Sequence, residues 1–311
     1  MTFAHLLGNE PIKTYLLRAL ESGQLHHTVL FSGREGIGKG LFAKALAQYL
    51  LETSSDRVQN ETHPDLHLMR PESKSGTHLV EQLREMILEV HKPPFEAKRK
   101  VFIVYEAHRM QPAAANMLLK TLEEPDLDCQ IVLISSSPSE LLATILSRCI
   151  HLAFQPIPRD LIARFLEDHH ARSSDRAQAL ARLSNGSIGH ALNLMQNDWS
   201  EKAGRVLINA LEKKSSNTQA IAEIEALLGD LDGVDLHLEA EHLFATYLMW
   251  IRDQELKRTS GDERLCYFSS ELAAQPVSSL KAELLAAKAK TALERNIKLS
   301  ACLDFLLNQP L

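Results

Sequence analysis

The chain has few cysteines, and none of them are closely spaced. Its 311 residues include four, which are widely scattered: Cys129, Cys149, Cys266 and Cys302. Structural zinc sites and disulfide frameworks use cysteines at short, regular spacings, so neither is expected here. We predict instead that these residues are small buried thiols in a reducing compartment.

Long apolar runs are also missing. No run reaches the roughly 18 residues of a membrane-spanning helix, and Met1 to His5 lack the basic and apolar regions of a secretory signal. The net charge is −6 and the pI is near 6.2, which disfavours broad electrostatic attachment to DNA or to an acidic membrane. We therefore expect a cytoplasmic protein without membrane contact, whose nucleic-acid contacts, if any, are local or indirect.

What the chain does contain is an alternating pattern. Hydrophobic residues make up 45% and charged residues 24% of it, as in soluble globular proteins, and its length favours two or three domains. Through the first half, strand-like apolar runs alternate with helix-like runs, which predicts an α/β fold with a parallel sheet flanked by helices. The predicted strands are Thr28–Ser32, Leu66–Met69, Val101–Tyr105, Ile131–Ser135 and Ile150–Phe154.

A proline-rich break follows the last predicted strand. Pro156 and Pro158 separate this strand from an almost wholly helical remainder, which Asn185–Gly189 interrupts once more. We therefore predict an α/β domain, a small helical domain and an all-helical C-terminal domain. Their predicted bounds are residues 1–155, 156–198 and 199–311. Within the first domain, the polar segment Thr53–Glu61 is predicted to be a loop.

A glycine-rich loop follows the first predicted strand directly. It reads Gly33-Arg34-Glu35-Gly36-Ile37-Gly38-Lys39-Gly40. In phosphate-binding loops the glycines let backbone N–H groups face phosphate oxygens at a helix N-terminus, and the lysine reaches the outer phosphates. Gly40 departs from this motif, because a Ser or Thr hydroxyl at this position would hold Mg²⁺. A fortuitous glycine turn is the alternative.

The strand ending at Tyr105-Glu106 departs from the expected pattern in a second place. P-loop proteins put a carboxylate against Mg²⁺ at the first of these positions, but a phenol with a pKa near 10 is neutral at pH 7 and cannot replace it. Glu106 is a candidate for orienting water, or else an ordinary polar residue at a strand end. We therefore expect no ATPase activity of its own and no required cofactor. Binding of ATP or ADP without metal chemistry stays open.

Two further motifs are more specific than the loop. They are Gln111–Pro125 (QPAAANMLLKTLEEP) and Ile145–Cys149 (ILSRC). Together they closely resemble the clamp-loader AAA+ subunits of bacterial DNA polymerase III, and Phe3–Gly8, His27–Lys39 and Thr62–Asp65 fit the same family. The resemblance covers roughly the first 195 of the 311 residues.

This resemblance implies an AAA+ P-loop domain, a helical lid and a helical collar for oligomerisation. Within the family, the chain length and the eroded nucleotide site are similar to those of the delta prime branch. The implied partners are the gamma/tau and delta subunits, with primer-template DNA and the sliding clamp contacted through the complex. Residues 51–65 lack the four zinc cysteines of many relatives, so no zinc is expected.

The resemblance also assigns site residues. Ser147-Arg148-Cys149 would lie at the subunit edge, where Arg148 would reach in trans toward a neighbouring gamma subunit's ATP; an arginine that only caps or pairs locally is the alternative. Ser135 or Ser136 would be the polar phosphate sensor of the degenerate site. Where the family has a lid arginine, this chain has His190 beside Gly189.

Several other features have structural interpretations. Most of the Gln111–Pro125 motif suits helix packing, and the basic run Lys98-Arg99-Lys100 suits a solvated turn better than a DNA contact. The paired and single histidines lack metal-ligand spacing and are interpreted as structural.

Three functions remain open from the sequence. The favoured one is a non-hydrolysing clamp-loader subunit that holds its partners in register and donates Arg148. A gamma/tau-like ATPase motor using Glu106 is the second, and an unrelated P-loop switch or small-molecule kinase is the third. Gly40 and Tyr105 disfavour the second, and the Ser-Arg-Cys triplet would be unexplained in the third.

Overall fold

A computed structural model describes residues 3–72, 77–123, 128–170, 174–196, 198–228, 233–260, 279–295 and 297–308. It divides into two compact units, each described by itself below. The first comprises Met1–Arg172 with Ser184–His190, and the second comprises Ser173–Leu183 with Ala191–Leu311. The three-domain division expected from the sequence stays a prediction.

A parallel five-stranded sheet forms the centre of the first unit, as predicted. In space its strands follow the order β2-β3-β4-β1-β5, and every pairing is parallel. The strands are β1 Thr28–Ser32, β2 Leu66–Met69, β3 Lys100–Val104, β4 Cys129–Ser135 and β5 Ile150–Ala153. The helices are α1 Glu10–Glu21, α2 Lys39–Leu50, α3 Ser55–Gln59, α4 Val80–Val90, α5 Pro112–Glu123, α6 Ala143–Leu146 and α7 Arg159–His170.

The inner strands are apolar on both faces because helices cover both sides of the sheet. Phe31 and Ile103 point into one core, which α1 and α2 complete. Leu30 and Phe102, their neighbours along the strands, point into the opposite core, which α4 and α5 complete. Alternate side chains of a strand point to opposite faces, so continuous apolar runs are what a doubly covered sheet requires.

The regular elements described in the second unit are all helices. Its helices are α8 Ser174–Leu183, α9 Ile188–Gln196, α10 Asp198–Leu211, α11 Asn217–Leu228, α12 Gly233–Ser260, α13 Ser279–Glu294 and α14 Leu299–Leu307; α9 begins in the first unit. Helices α10 to α14 pack around Tyr247 and Trp250 of α12, which are almost fully buried. Among the described residues, no helix combines the length and apolar character that a membrane crossing needs.

Two local predictions were wrong. The segment Thr53–Glu61 contains the short helix α3, which forms because Val58 turns inward and is almost completely buried. Lys100 is not part of a solvated turn but opens strand β3. Its side chain is buried, and its Nζ lies 2.5 Å from Glu89 Oε1, so a carboxylate compensates its charge.

The predictions for the cysteines and for the Gln111–Pro125 motif can be compared with the structure only at the residues that it describes. Cys129 and Cys302 are buried thiols, and Cys149 is half-buried. Cys266 lies outside the described residues, as do the last two residues of the Gln111–Pro125 motif. The described remainder of that motif forms α5, whose buried face packs under the sheet as predicted.

Candidate functional site

The predicted nucleotide-site residues meet at the carboxyl edge of the sheet. Strand β1 runs into the glycine loop, β3 ends at Val104 just before Tyr105, and β4 ends at Ser135. Because β4 lies between β3 and β1 and all three are parallel, their C-terminal ends converge. Ligand sites of open α/β sheets lie at this edge.

The glycine loop has the backbone that its sequence predicts. Gly33, Gly36 and Gly38 all have positive φ angles, of 135°, 71° and 99°, and helix α2 begins at the next residue, Lys39. At Gly36 the requirement for glycine is also steric. A Cβ atom there would lie 2.2 Å from Ser187 Oγ, closer than any normal contact.

Lys39 is buried inside the loop. Its Nζ donates to the carbonyl oxygens of Gly33 and Arg34, at 2.6 and 2.7 Å. Burial lowers the pKa of this ammonium group, although the charges of Glu106 and Glu35 oppose the shift. A phosphate that approached Lys39 would therefore compete with two backbone acceptors of the loop.

The segment Ser187–His190 packs directly on the loop, within the first unit. Gly189 N donates to Gly36 O at 2.8 Å, and a Cβ at Gly189 would lie only 2.9 Å from Gly36 Cα. At the start of α9, the His190 N–H donates to Ser187 Oγ. Gly189, beside the predicted lid position His190, is thus in tight backbone contact with the phosphate-binding loop.

Gly40 and Tyr105, the two predicted departures from the metal-binding motif, lie close together. A Cβ atom built on Gly40 would lie 3.2 Å from Cε1 of the Tyr105 ring and 3.6 Å from its Oη. The phenol ring thus packs closely beside the position from which a Ser or Thr side chain would extend. Both departures, at Gly40 and Tyr105, are recognisable in the sequence, but their proximity is not, because the two residues are far apart in the chain.

An arginine that the sequence analysis missed covers this ring. The guanidinium carbon of Arg70 lies 4.9 Å from the Tyr105 ring centroid, and its Nη atoms bond both carboxylate oxygens of Glu61, at 2.5 and 3.1 Å. Burial raises the pKa of the Tyr105 phenol, although Arg70 opposes the shift. A neutral phenol beside a guanidinium is a poor donor set for Mg²⁺, which prefers carboxylate and water oxygens.

The predicted sensor serines and Glu106 are connected through a buried histidine. Ser135 Oγ lies 3.2 Å from His108 Nδ1, and Ser136 Oγ donates to Glu106 Oε2 at 3.4 Å. His108 Nε2 is 3.3 Å from the same carboxylate oxygen. Burial lowers the pKa of His108, against the charge of Glu106. The structure therefore brings these predicted residues together and adds His108 to them.

The Ser147-Arg148-Cys149 triplet forms a second feature, between α6 and β5. Arg148 Nη1 donates to Thr144 O at 2.9 Å and to Ser147 Oγ at 3.2 Å, while Nη2 forms an ion pair with Glu123 at the end of α5. Burial raises the pKa of the Cys149 thiol to about 11, which disfavours the reactive thiolate at neutral pH. A cavity of about 430 Å³ lies beside the triplet. Its lining residues are His26, His27, Leu122, Glu123, Ser147 and Arg148.

The histidines are held by local contacts. His63 Nδ1 accepts the Asp65 N–H and its Nε2 pairs with Glu96 at 3.0 Å, while His27 Nε2 lies 3.1 Å from Leu122 O. Within the described ranges, no three His, Cys, Asp or Glu side chains are grouped to hold a metal ion.

The sequence of the chain matches a known protein family. Residues 8–158 match the family described as "DNA polymerase III, delta subunit". The chain is 35% identical over 205 residues to the DNA polymerase III subunit delta' of Bacillus subtilis and 33% identical over 200 residues to that of Escherichia coli. The chain belongs to the DNA polymerase III clamp-loader family. Its predicted resemblance to delta prime subunits is thereby confirmed.

The matches cover parts of the proteins compared. The two delta prime alignments span 62% and 60% of this chain and 61% and 60% of the relatives. The tau subunit of Escherichia coli is 31% identical over 245 residues, which cover 73% of this chain and 38% of tau. The chain thus spans less than two thirds of the length of each of these relatives.

A solved structure supports the fold. The crystal structure of a DNA polymerase III gamma subunit-related protein from Thermotoga maritima has a TM-score of 0.56 and 19% identity, over 94% of this chain and 96% of that one. At this identity the likeness shows the fold alone. The α/β AAA+ fold predicted from the sequence is confirmed.

Proposed function

We propose that this clamp-loader family member is a delta prime-type subunit that holds delta and gamma/tau together while the sliding clamp is loaded onto primed DNA. In this role it is an interaction subunit of a cytoplasmic hetero-oligomer and has no ATP turnover of its own. Its catalytic contribution is Arg148, which acts in trans at the ATP site of a neighbouring gamma/tau subunit.

The contact between Gly40 and Tyr105 is the observation that carries this proposal. Phosphoryl transfer in P-loop proteins needs Mg²⁺ to bridge the β and γ phosphates, held by the loop hydroxyl and by a carboxylate at a strand end. Here residue 40 has no hydroxyl, and the Tyr105 ring packs closely beside it. Arg70 packs over the ring in a bidentate pair with Glu61 and supplies no ligand for a divalent cation.

The position of Arg148 supports the second half of the proposal. Its side chain is 31% exposed and lines a cavity outside the loop region, so it is accessible to a neighbouring molecule. An arginine supplied in trans stabilises charge on a transferring phosphoryl group and accelerates GTPases by about 10³ to 10⁵. The chain would thus not hydrolyse ATP in its own site but would promote hydrolysis in the site of a neighbouring subunit.

Apolar side chains on α13 support a role of the C-terminal helices in assembly. Leu280 and Leu284 are 78% and 56% exposed and lie four residues apart, on one face of the helix. Exposed apolar side chains on one face are a common feature of protein interfaces. We propose that residues 199–311 form the oligomerisation collar and residues 156–198 the lid.

ATP turnover by the isolated chain tests the proposal. We expect no Mg²⁺-dependent hydrolysis above background from the chain alone, and hydrolysis once gamma/tau and delta are added. R148A should leave assembly intact on a sizing column and lower the rate of the complex. Robust turnover by the solitary chain would refute the non-hydrolysing role.

A gamma/tau-like motor is the second candidate. Lys39 and Glu106 are both present, and the alignment with tau covers more of this chain than those with the delta prime subunits. The same assay decides between the two, because a motor would hydrolyse ATP alone and would lose this activity in K39A and E106Q.

A further inference from the structure

Three acceptors of the same chain hold the Arg148 guanidinium. An arginine has five N–H donors. Glu123 takes one from Nη2, and Thr144 O and Ser147 Oγ take those of Nη1. The Nε–H is buried, and no described residue accepts a hydrogen bond from it. In this arrangement the side chain cannot offer a neighbour two parallel donors from a single edge of the guanidinium.

Glu123 also cancels the charge of Arg148. Of the six residues that line the adjacent cavity, Arg148 is the permanent cation and Glu123 is the carboxylate. Burial lowers the pKa of His27, another lining residue, which favours its neutral form. The Arg148–Glu123 pair therefore presents almost no net charge to an approaching phosphate, although Arg148 by itself would attract one.

We propose that Glu123 restrains Arg148, so that the guanidinium engages a neighbour's nucleotide only when a phosphate displaces the carboxylate. This inference rests on the proposed function of Arg148 in trans. Both partners are partly exposed, at 31% and 49%, and ion pairs of this kind are weak. A terminal phosphate carries more charge than a carboxylate and binds arginine at two positions. Glu123 thus makes the engagement of Arg148 sensitive to the phosphate in the neighbouring site.

Chemical modification of the isolated full-length chain tests the restraint without any partner. E123Q keeps the size and an acceptor oxygen of the side chain but removes its charge. We expect phenylglyoxal to modify Arg148 about two- to fivefold faster in E123Q than in the wild type, as read by peptide mass spectrometry. Arg84, which lies 3.7 Å from Glu81 and is 60% exposed, is the internal control and should react at the same rate in both. An unchanged rate at Arg148 would overturn the restraint.

ATP hydrolysis by the complex with gamma/tau and delta separates this inference from the proposed function. If both hold, R148A slows hydrolysis, E123Q speeds it by about two- to fivefold, and E123Q/R148A matches R148A. If R148A slows hydrolysis while E123Q is unchanged or slower, Arg148 acts in trans and Glu123 does not restrain it. If R148A has the wild-type rate, the in-trans function itself is refuted, and the restraint has no role in hydrolysis.

Discussion

The contact between Gly40 and Tyr105 predicts an energetic coupling between positions 40 and 105. Gly40 is the second residue of α2, and its φ is not in the left-handed region. Replacing a helical glycine by alanine gains up to about 1 kcal/mol, because the unfolded chain loses conformational freedom. The new Cβ would lie 3.2 Å from the Tyr105 ring, well inside the usual contact distance of about 3.5–4.0 Å.

The sign of the alanine effect should therefore depend on the ring. In the wild type, overpacking costs of about 1–3 kcal/mol outweigh the helix gain, so G40A should destabilise the first unit by about 1 kcal/mol. In a Y105A background the space is open, and G40A should stabilise it by up to about 1 kcal/mol. The resulting interaction energy is about 1–2 kcal/mol.

Amide hydrogen exchange is the appropriate assay. Both tryptophans, Trp199 and Trp250, lie in the second unit, so their fluorescence does not report on the phosphate-binding loop. Exchange read on peptides that contain strands β1 and β3 gives the opening free energy of the first unit directly.

A matched control comes from the second unit. A Cβ on Gly204 would lie 3.2 Å from Thr246 Cγ2, the same distance as at Gly40 but without any link to Tyr105. G204A and Y105A should therefore be additive within about 0.5 kcal/mol. If G40A and Y105A are additive within the same margin, the ring does not pack closely beside position 40 and the reasoning on the metal site fails.

Three further predictions concern buried charges and the thiol. Asp65 is fully buried, and although burial would raise its pKa, hydrogen bonds from the three N–H groups of residues 95–97 lower it. D65N should lower the free energy of unfolding by about 2–3 kcal/mol and speed amide exchange at residues 95–97. Unchanged exchange would contradict this. Hydrogen bonds from Lys100 and Lys92 lower the pKa of the half-buried Glu89 from 4.5 to about 2. The stability gap between wild type and E89Q should therefore be largest above pH 4.5 and should close as the pH falls toward 2. Solvent screens part of this interaction, so we expect a gap of about 1–2 kcal/mol, and a pH-independent gap in urea titrations would refute it. With its pKa near 11, Cys149 should react with iodoacetamide at pH 8 at least about 100-fold more slowly than a free thiol of pKa about 8.5. A rate similar to that of the free thiol would rule out its burial.

The sheet was predictable because its signal is local. Four of the five predicted strands agree with the structure to within one residue at each end, and β4 begins two residues earlier than predicted, at Cys129. Continuous apolar runs bounded by glycines and polar residues need no knowledge of distant contacts. The wrong predictions at Val58 and Lys100 have the opposite cause. Each depends on one side chain that turns inward to a partner elsewhere in the fold, which no local pattern reveals.

In the candidate site, too, local features could be predicted and tertiary contacts could not. The sequence identified Gly40 and Tyr105 as departures from the expected motif, since motif positions are fixed by spacing. It could not identify Arg70 or His108 as parts of the site, because each joins it only through tertiary contacts with Tyr105 or with Ser135. Glu123 is part of a motif interpreted mainly as helix packing. Its pairing with Arg148 is visible only in the three-dimensional structure.

The retention of Lys39 also has a physical explanation without nucleotide chemistry. In an intact phosphate-binding loop the lysine serves the outer phosphates, so under the proposed non-hydrolysing role the chain has no catalytic need for it. Here its ammonium group bonds the carbonyls of Gly33 and Arg34, which a tight loop leaves without helix or sheet partners. A separate contact, from Gly189 N to Gly36 O, joins the same loop to Ser187–His190. The lysine therefore stabilises the shape of the loop through bonds that need neither a nucleotide nor a metal ion.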